Sequence, residues 1–336
     1  MVFTNTDEQM KWKEFIKQWG LELGFVAVGF AAADMMPDLA QVLQSRFESG
    51  LATPFESKDI QKRINPLETW RKCTTVAALA YPLPLTSPPQ PDQGILSRSS
   101  VGRDYHKIVD EKLKALADLM YFKGWMGTLE WQVDTGPLVE RAFAVRAGIG
   151  WIGRNQQLII PGYGSFATLA LMLLDEEIPF DEPVAFQCGE CRRCVEACPA
   201  QIIGKEPFAA KHCVSYLTQS KEILDPDEQK RLGLRIFGCD TCQEVCQYNQ
   251  KRIAAEQAGS CAGKLQCGVE LLEILNLTKG EFLQNYKGTA AGWRGKGVLQ
   301  RNAFLALRNK DDDRYKLWQE ERIKSGTLPQ IIKPYI

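Results

Sequence analysis

Cys188-Gly189-Glu190-Cys191-Arg192-Arg193-Cys194-Val195-Glu196-Ala197-Cys198-Pro199 is the stretch that decides the fold. Its gaps of two, two and three residues, closed by proline, are those of bacterial ferredoxins. There three thiolates hold one [4Fe–4S] cube and the fourth is turned toward a second. Downstream, Cys213 and the run Cys239-x2-Cys242-x3-Cys246 supply four more thiolates. Two cubes need eight ligands, and these are eight. Handing the last cysteine of each tight run across gives a definite expectation. Cys188, Cys191, Cys194 and Cys246 share one cluster, and Cys198, Cys213, Cys239 and Cys242 the other. Structural zinc needs four ligands per site and gives no reason for the run, and disulfides are rare in reducing compartments. Three of the 11 cysteines remain. Cys73 reads as a small buried residue beside a strand, whereas Cys261 and Cys267 fit no pattern.

Around this run the chain is ordinary globular protein. Its 336 residues are 45% hydrophobic and 24% charged, which excludes global disorder. A formal net charge of +0 excludes a protein that binds polyanions through bulk charge alone. The polar N-terminus is no secretory signal, and the apolar run from Phe166 to Leu174 is far shorter than the roughly 18 residues of a membrane span. The expectation is a soluble cytoplasmic monomer with no membrane contact. Three segments follow: an α/β or α+β domain over 1–180, a ferredoxin-like domain over 181–255, and a short helical region over 256–336.

Within the first segment, Trp12, Phe15, Ile16 and Trp19 recur at helical spacing. Val109, Leu113, Leu116 and Met120 mark a second helix over 104–123. Apolar runs at 25–31, 74–81, 129–133, 158–160 and 166–174 read as strands, and 138–147 as a helix. The proline-rich stretch 82–93 reads as an extended surface loop. Gly148-Ile149-Gly150-Trp151-Ile152-Gly153 matches a dinucleotide fingerprint, but a helix precedes it where a strand is required, so a helix stop and tight turn are expected.

The stretch 282–310 carries Lys287, Arg294, Lys296, Arg301, Arg308 and Lys310 with no acidic residue. Tyr286, Trp293 and Phe304 are interleaved, a composition suited to RNA phosphates and unpaired bases. Arg294, Lys296 and Arg301 are the candidate nucleic-acid contacts. A solvated helical face is the competing reading.

Beyond the cysteines, several stretches resemble the epoxyqueuosine reductase family. They are Asp59-Ile60-Gln61-Lys62-Arg63-Ile64-Asn65-Pro66, Gly102-Arg103-Asp104-Tyr105-His106, and Val133-Asp134-Thr135-Gly136-Pro137-Leu138-Val139-Glu140-Arg141-Ala142. Cys213-Val214-Ser215-Tyr216-Leu217-Thr218 and Phe237-Gly238-Cys239-Asp240-Thr241-Cys242 complete the set, so the likeness spans residues 10 to 250. The resemblance implies a cobalamin-binding domain, two [4Fe–4S] clusters, and reduction of epoxyqueuosine to queuosine in the tRNA anticodon loop. A low-potential donor protein of flavodoxin or ferredoxin type supplies the electrons. It makes Asp134 the proton donor and maps cobalamin contacts onto Arg63, Ser97, Asp134, Leu158, Leu169, Ser215, Gly238, Cys239 and Asp240. Ser97 stands where some relatives have cysteine, Gln247 replaces the proline usual after the last cluster cysteine, and the helical tail is shortened. Other readings are a cobalamin and iron–sulfur reductase of a small molecule, like the reductive dehalogenases, and a pure electron-transfer module.

On the residues alone, Asp134 before Thr-Gly-Pro is also a good helix cap. As an acid beside a bound cofactor in a dry pocket, its pKa is expected to rise from roughly 3.9. Tyr105 and His106 are further candidate proton donors.

Overall fold

The computed structural model describes residues 5–258 and 265–336; Cys261 lies outside them. Alternation along the strands explains the central sheet. Thr75–Pro82 sends Ala77 and Leu79 to one face and Val76, Ala78 and Ala80 to the other. Ala167–Leu174 likewise divides Ala170, Met172 and Leu174 from Leu171 and Leu173. A strand apolar on both sides must be covered on both. Ile16 and the Val109, Leu113 and Leu116 stripe, from helices Asn5–Glu22 and Tyr105–Phe122, pack on the first face. Leu43, Phe143 and Ala144, from helices Pro37–Glu48 and Glu140–Arg146, pack on the second.

The strand order is Ala27–Ala32, Thr75–Pro82, Ala167–Leu174, Leu129–Val133, every neighbour antiparallel. The antiparallel ladder makes this segment α+β. Leu129–Val133 is an edge strand whose last pair, Val133 with Ala170, leaves Asp134 beside Leu169. Gly148 closes the preceding helix with φ +70, and at Gly150 a Cβ would stand 2.3 Å from the Ile159 carbonyl oxygen. The glycine run is a tight turn, as its context implied.

The stretch 82–93 is not wholly a surface loop. Thr86–Ser87 pairs in parallel with Leu265–Gln266, and Leu83, Thr86 and Ser87 are buried. Its prolines flank the paired residues and so spare the ladder.

Three segments of the chain are knitted by one small sheet. Gly94–Leu96 lies between Arg235–Phe237, in parallel, and Gly268–Val269, antiparallel. Their side chains join a second core with Leu271, Ile274, Leu275 and the helix Lys296–Asn309, whose residues from Val298 to Leu307 are all buried. Among the described residues no helix is long and apolar enough to cross a membrane.

Candidate active site and cluster centre

The cysteines are delivered by short helical turns, Arg193–Ala197, Val214–Leu217 and Thr241–Glu244, too small to hold themselves. Cys188, Cys191, Cys194 and Cys246 line one cavity, and Cys213, Cys239 and Cys242 pack against Cys198 with Cys194 beside them. Burial, followed by the charges of Cys188, Cys246 and Cys191, raises the pKa of Cys194. Burial, then Cys239 and Cys198 together with opposing backbone hydrogen bonds, places Cys213 at about 11. Cys242 is raised by burial and by Cys239, Cys213 and Cys198. Such repulsion between like charges requires proximity, and it pairs the thiols as the spacing predicted. Among the described residues no three possible ligands close to the spacing of a single metal ion. Two sets of four thiols held apart are the donor set of polynuclear clusters with one thiolate per iron. All ten described cysteines are free.

A second constellation forms where the edge strand ends. Asp134 has φ +56, a left-handed backbone that aspartate tolerates better than most residues. Its Oδ2 accepts a hydrogen bond from the Tyr105 hydroxyl at 2.8 Å and lies 3.2 Å from His106 Nε2. His106 Nδ1 lies 2.7 Å from Asp104, whose side chain also caps the helix Tyr105–Phe122. The Tyr105 and His106 rings stack with centroids 4.0 Å apart. The next helix begins at Glu140 with Val139 at its cap, so Asp134 is no helix cap.

Three pKa shifts describe this corner. The His106 hydrogen bond, with that of Tyr105, holds Asp134 below its usual value against the opposing effect of burial. Burial disfavours the imidazolium of His106, yet its bonds to Asp134 and Asp104 outweigh this and raise its pKa. Two donors facing the carboxylate thus lower the Asp134 pKa, the opposite direction from the rise expected beside a bound cofactor. Glu140 is pushed up to about 7, chiefly by burial, with the Asp134 charge adding; Gln132 donates to it at 2.6 Å.

An open pocket beside these groups is lined by His106, Trp131, Gln132, Val133, Thr135 and Gly136. The Asp134 side chain is 62% exposed and Arg141 is exposed. Arg141 shares its field with Arg46, Glu56, Glu140 and Asp134. Arg63, buried, pairs with Glu56 at 3.1 Å through one nitrogen. Its other terminal nitrogen is buried without a partner, an orphaned donor that fits a ligand carrying acceptors. Leu169 and buried Leu158 join one apolar cluster.

Ser97, Ser215, Gly238, Cys239 and Asp240 form a second group. Gly238 has φ +71, and a Cβ there would stand 2.2 Å from Ser97 Oγ. Its N–H donates to Thr218 Oγ1, which donates to the Ser215 carbonyl, each at 2.8 Å. The Asp240 carboxylate accepts from the Arg98 N–H at 2.8 Å and is raised in pKa by burial. Phe55, next to Glu56, stacks on Tyr216 at 5.2 Å and so reaches from the Arg63 side toward this group. Sequence reasoning assigned no role to Glu56, Arg46, Glu140 or Arg141; only the last two lay inside a marked stretch.

The basic stretch is mostly spent inside the molecule. Arg301 is 0% exposed and donates to the carbonyls of Ser220 and Leu217 at 2.6 and 2.8 Å. It cannot touch a phosphate, so its reading as a nucleic-acid contact is corrected. Buried on the helix Lys296–Asn309, it satisfies the end of a neighbouring turn. Lys296 caps the Leu277 carbonyl at 3.0 Å, Arg308 bonds to the Tyr335 carbonyl, and Lys310 pairs with Asp92. Arg294 bonds to the Gln219 carbonyl while lying over Trp293 and Phe55, at 4.7 and 5.1 Å from the ring centroids. Trp293 is 52% exposed.

Fold and site together define an iron–sulfur oxidoreductase, in which a double-cluster module is built onto an antiparallel sandwich with an acidic proton-transfer corner. A model for the 4Fe-4S double cluster binding domain matches residues 187–249, and one for "Epoxyqueuosine reductase QueG, DUF1730" matches residues 63–135. The epoxyqueuosine reductase of Staphylococcus aureus is 36% identical over 304 residues, covering 88% of this chain and 79% of that one. A solved epoxyqueuosine reductase with an epoxyqueuosine-modified tRNA-Tyr stem loop superposes with TM-score 0.82 at 32% identity, over 91% of this chain and 84% of that one. The Bacillus subtilis enzyme, solved with its Asp134 catalytic loop swung out of the active site, gives 0.85 at 30%, over 96% and 88%. The chain belongs to the epoxyqueuosine reductase family.

Proposed function

We propose that this chain reduces epoxyqueuosine to queuosine in the anticodon loop of tRNA. The observation that carries it is the Asp134 carboxylate, held between Tyr105 and His106 beside an open pocket lined by His106, Gln132, Val133, Thr135 and Gly136. Converting an epoxide to an alkene, with its oxygen leaving as water, consumes two electrons and two protons. When bound, the two clusters supply single electrons, and a corrinoid supplies the low-valent cobalt for the reduction. The chain's residues manage position and protons. Arg63, through its unpartnered nitrogen, would be a donor for the corrinoid's polar rim. Ser97, Ser215, Gly238, Cys239 and Asp240 form the wall toward the cluster module, and Leu158 and Leu169 the apolar floor. In this division the segment 1–180 holds the corrinoid, 181–255 the clusters and 256–336 the RNA side.

The bonds to Asp134 and Asp104 favour the protonated form of His106. Substrate that fills the pocket strips water from Asp134, favours its neutral form, and draws the proton across the 3.2 Å bond. Asp134 then donates to the departing oxygen, while Asp104 keeps the imidazole oriented for reloading. For the tRNA, exposed Trp293 with Arg294 and Phe55 offers a stacking platform. The reading also includes a cytoplasmic monomer served by a low-potential electron donor. The test is anaerobic reconstitution followed by assay on epoxyqueuosine-containing tRNA with a low-potential donor. Queuosine should form and iron should approach about eight per chain; iron near four, or no queuosine, would reject the reading.

A further inference from the structure

The two thiol sets meet the outside differently. Cys198 is buried among Ala200, Ile202, Ile203 and Val214, with Cys213, Cys239 and Cys242, and Cys194 of the other set, half-buried against them. Cys188, Cys191, Cys194 and Cys246 line a cavity at the surface, together with Arg154, Arg193 and Tyr248. Two arginines and no carboxylate border it; Glu190 and Glu196, exposed on the same segment, are outside the lining. Arg154 donates to the Gly189 carbonyl at 2.6 Å and lies 5.8 Å from the ring of Phe186, itself 54% exposed. Tyr248 donates to the Gln187 carbonyl, so both ends of the loop before Cys191 are pinned. Arg192 and Arg193 face solvent beside it.

Electron transfer falls steeply with distance, and a carrier seated over this cavity comes nearest to the four thiols that line it. A cationic rim with an exposed ring suits a negatively charged protein that docks briefly over a small area. We propose that this opening is the docking port for a small acidic one-electron carrier protein, whose centre reduces the cluster on Cys188, Cys191, Cys194 and Cys246. The inference rests on the reading of both sets as an electron relay. In each docking the carrier loses one electron and the cluster gains one, with no bond or proton moved. Two dockings supply the pair that one epoxide consumes.

The experiment mixes reconstituted protein with reduced flavodoxin, and separately with reduced ferredoxin, and follows bleaching of the clusters at low and high NaCl. Wild-type bleaching should slow with salt. Arg192→Glu/Arg193→Glu should slow it about ten-fold or more at low salt and flatten the salt dependence. The same variant should weaken binding of oxidised flavodoxin, while iron content and bleaching by dithionite stay as in wild type. Equal bleaching by both carriers in wild type and variant, with iron retained, overturns the port. If charge reversal costs iron, Arg193→Gln decides: a smaller loss in the same direction supports the port, and none overturns it. Failure of dithionite to bleach the wild-type clusters would instead sink the relay reading itself.

Discussion

The Asp134 corner and the stretch 282–310 are both rich in groups that could serve chemistry, and the structure uses them in opposite ways. At the corner, the Asp134 carboxylate is largely exposed and one nitrogen of Arg63 is buried without a partner, so hydrogen-bonding capacity is left over. In the basic stretch, Arg301, Lys296 and Arg308 are spent on backbone carbonyls of their own molecule. Residue types and local charge are alike in kind; what separates a site from a scaffold is where the donors and acceptors end. A cation whose hydrogens are all taken by carbonyls has nothing to offer a phosphate.

The strongest way to break this contrast is Asp134→Asn, which should retain the fold and clusters and lose about 10²- to 10⁴-fold in single-turnover reduction. Near wild-type turnover would strip the corner of its role. Next comes Arg301→Met. It leaves two buried carbonyls without donors and should cost about 3 kcal/mol of stability, read by denaturant unfolding. Wild-type stability with weakened tRNA binding would reverse the assignment.

His106→Gln sharpens the corner. The raised pKa of His106 means its proton is present below the ordinary value of 6.5 and is lost only as pH rises through the higher folded value. Wild-type activity should therefore fall on that alkaline limb, and the variant should be about 10-fold slower and lose the limb. An unchanged pH profile would place the proton elsewhere. The smallest effect is expected of Trp293→Ala, a few-fold loss of tRNA affinity worth about 1 kcal/mol. Arg294→Gln alone should matter less, because one of its donors is already engaged by the Gln219 carbonyl.

The cluster ligands were legible in the sequence because metal spacing is local: gaps of two and three residues fix which thiols can converge. Their exchange across 50 residues followed from the same rule, and burial and repulsion at Cys194, Cys213 and Cys242 agree with it. The strand and helix positions of the first segment were also legible, since apolar periodicity is local. What escaped was long-range. Glu56 arrives on a loop with no motif and pairs with Arg63 and with Arg46 of the helix Pro37–Glu48. The pairing of Thr86–Ser87 was masked by the surrounding prolines. The Asp134 pKa was misread because its donors lie 28 and 29 residues away. Arg301 was misread because a helix surrounded on all sides looks, in composition, like one with a charged face.

The small sheet at Gly94–Leu96 has a consequence for how the molecule is made. A ribosome that has released residue 174 has delivered every strand of the large sandwich, so that unit is free to close early. The Gly94–Leu96 segment must wait, its two edges bare, until 237 and then 269 emerge. The cysteines from 188 to 246 arrive inside that interval. Iron–sulfur loading therefore has a natural window, after the first unit has set and before the last helices seal the module against it.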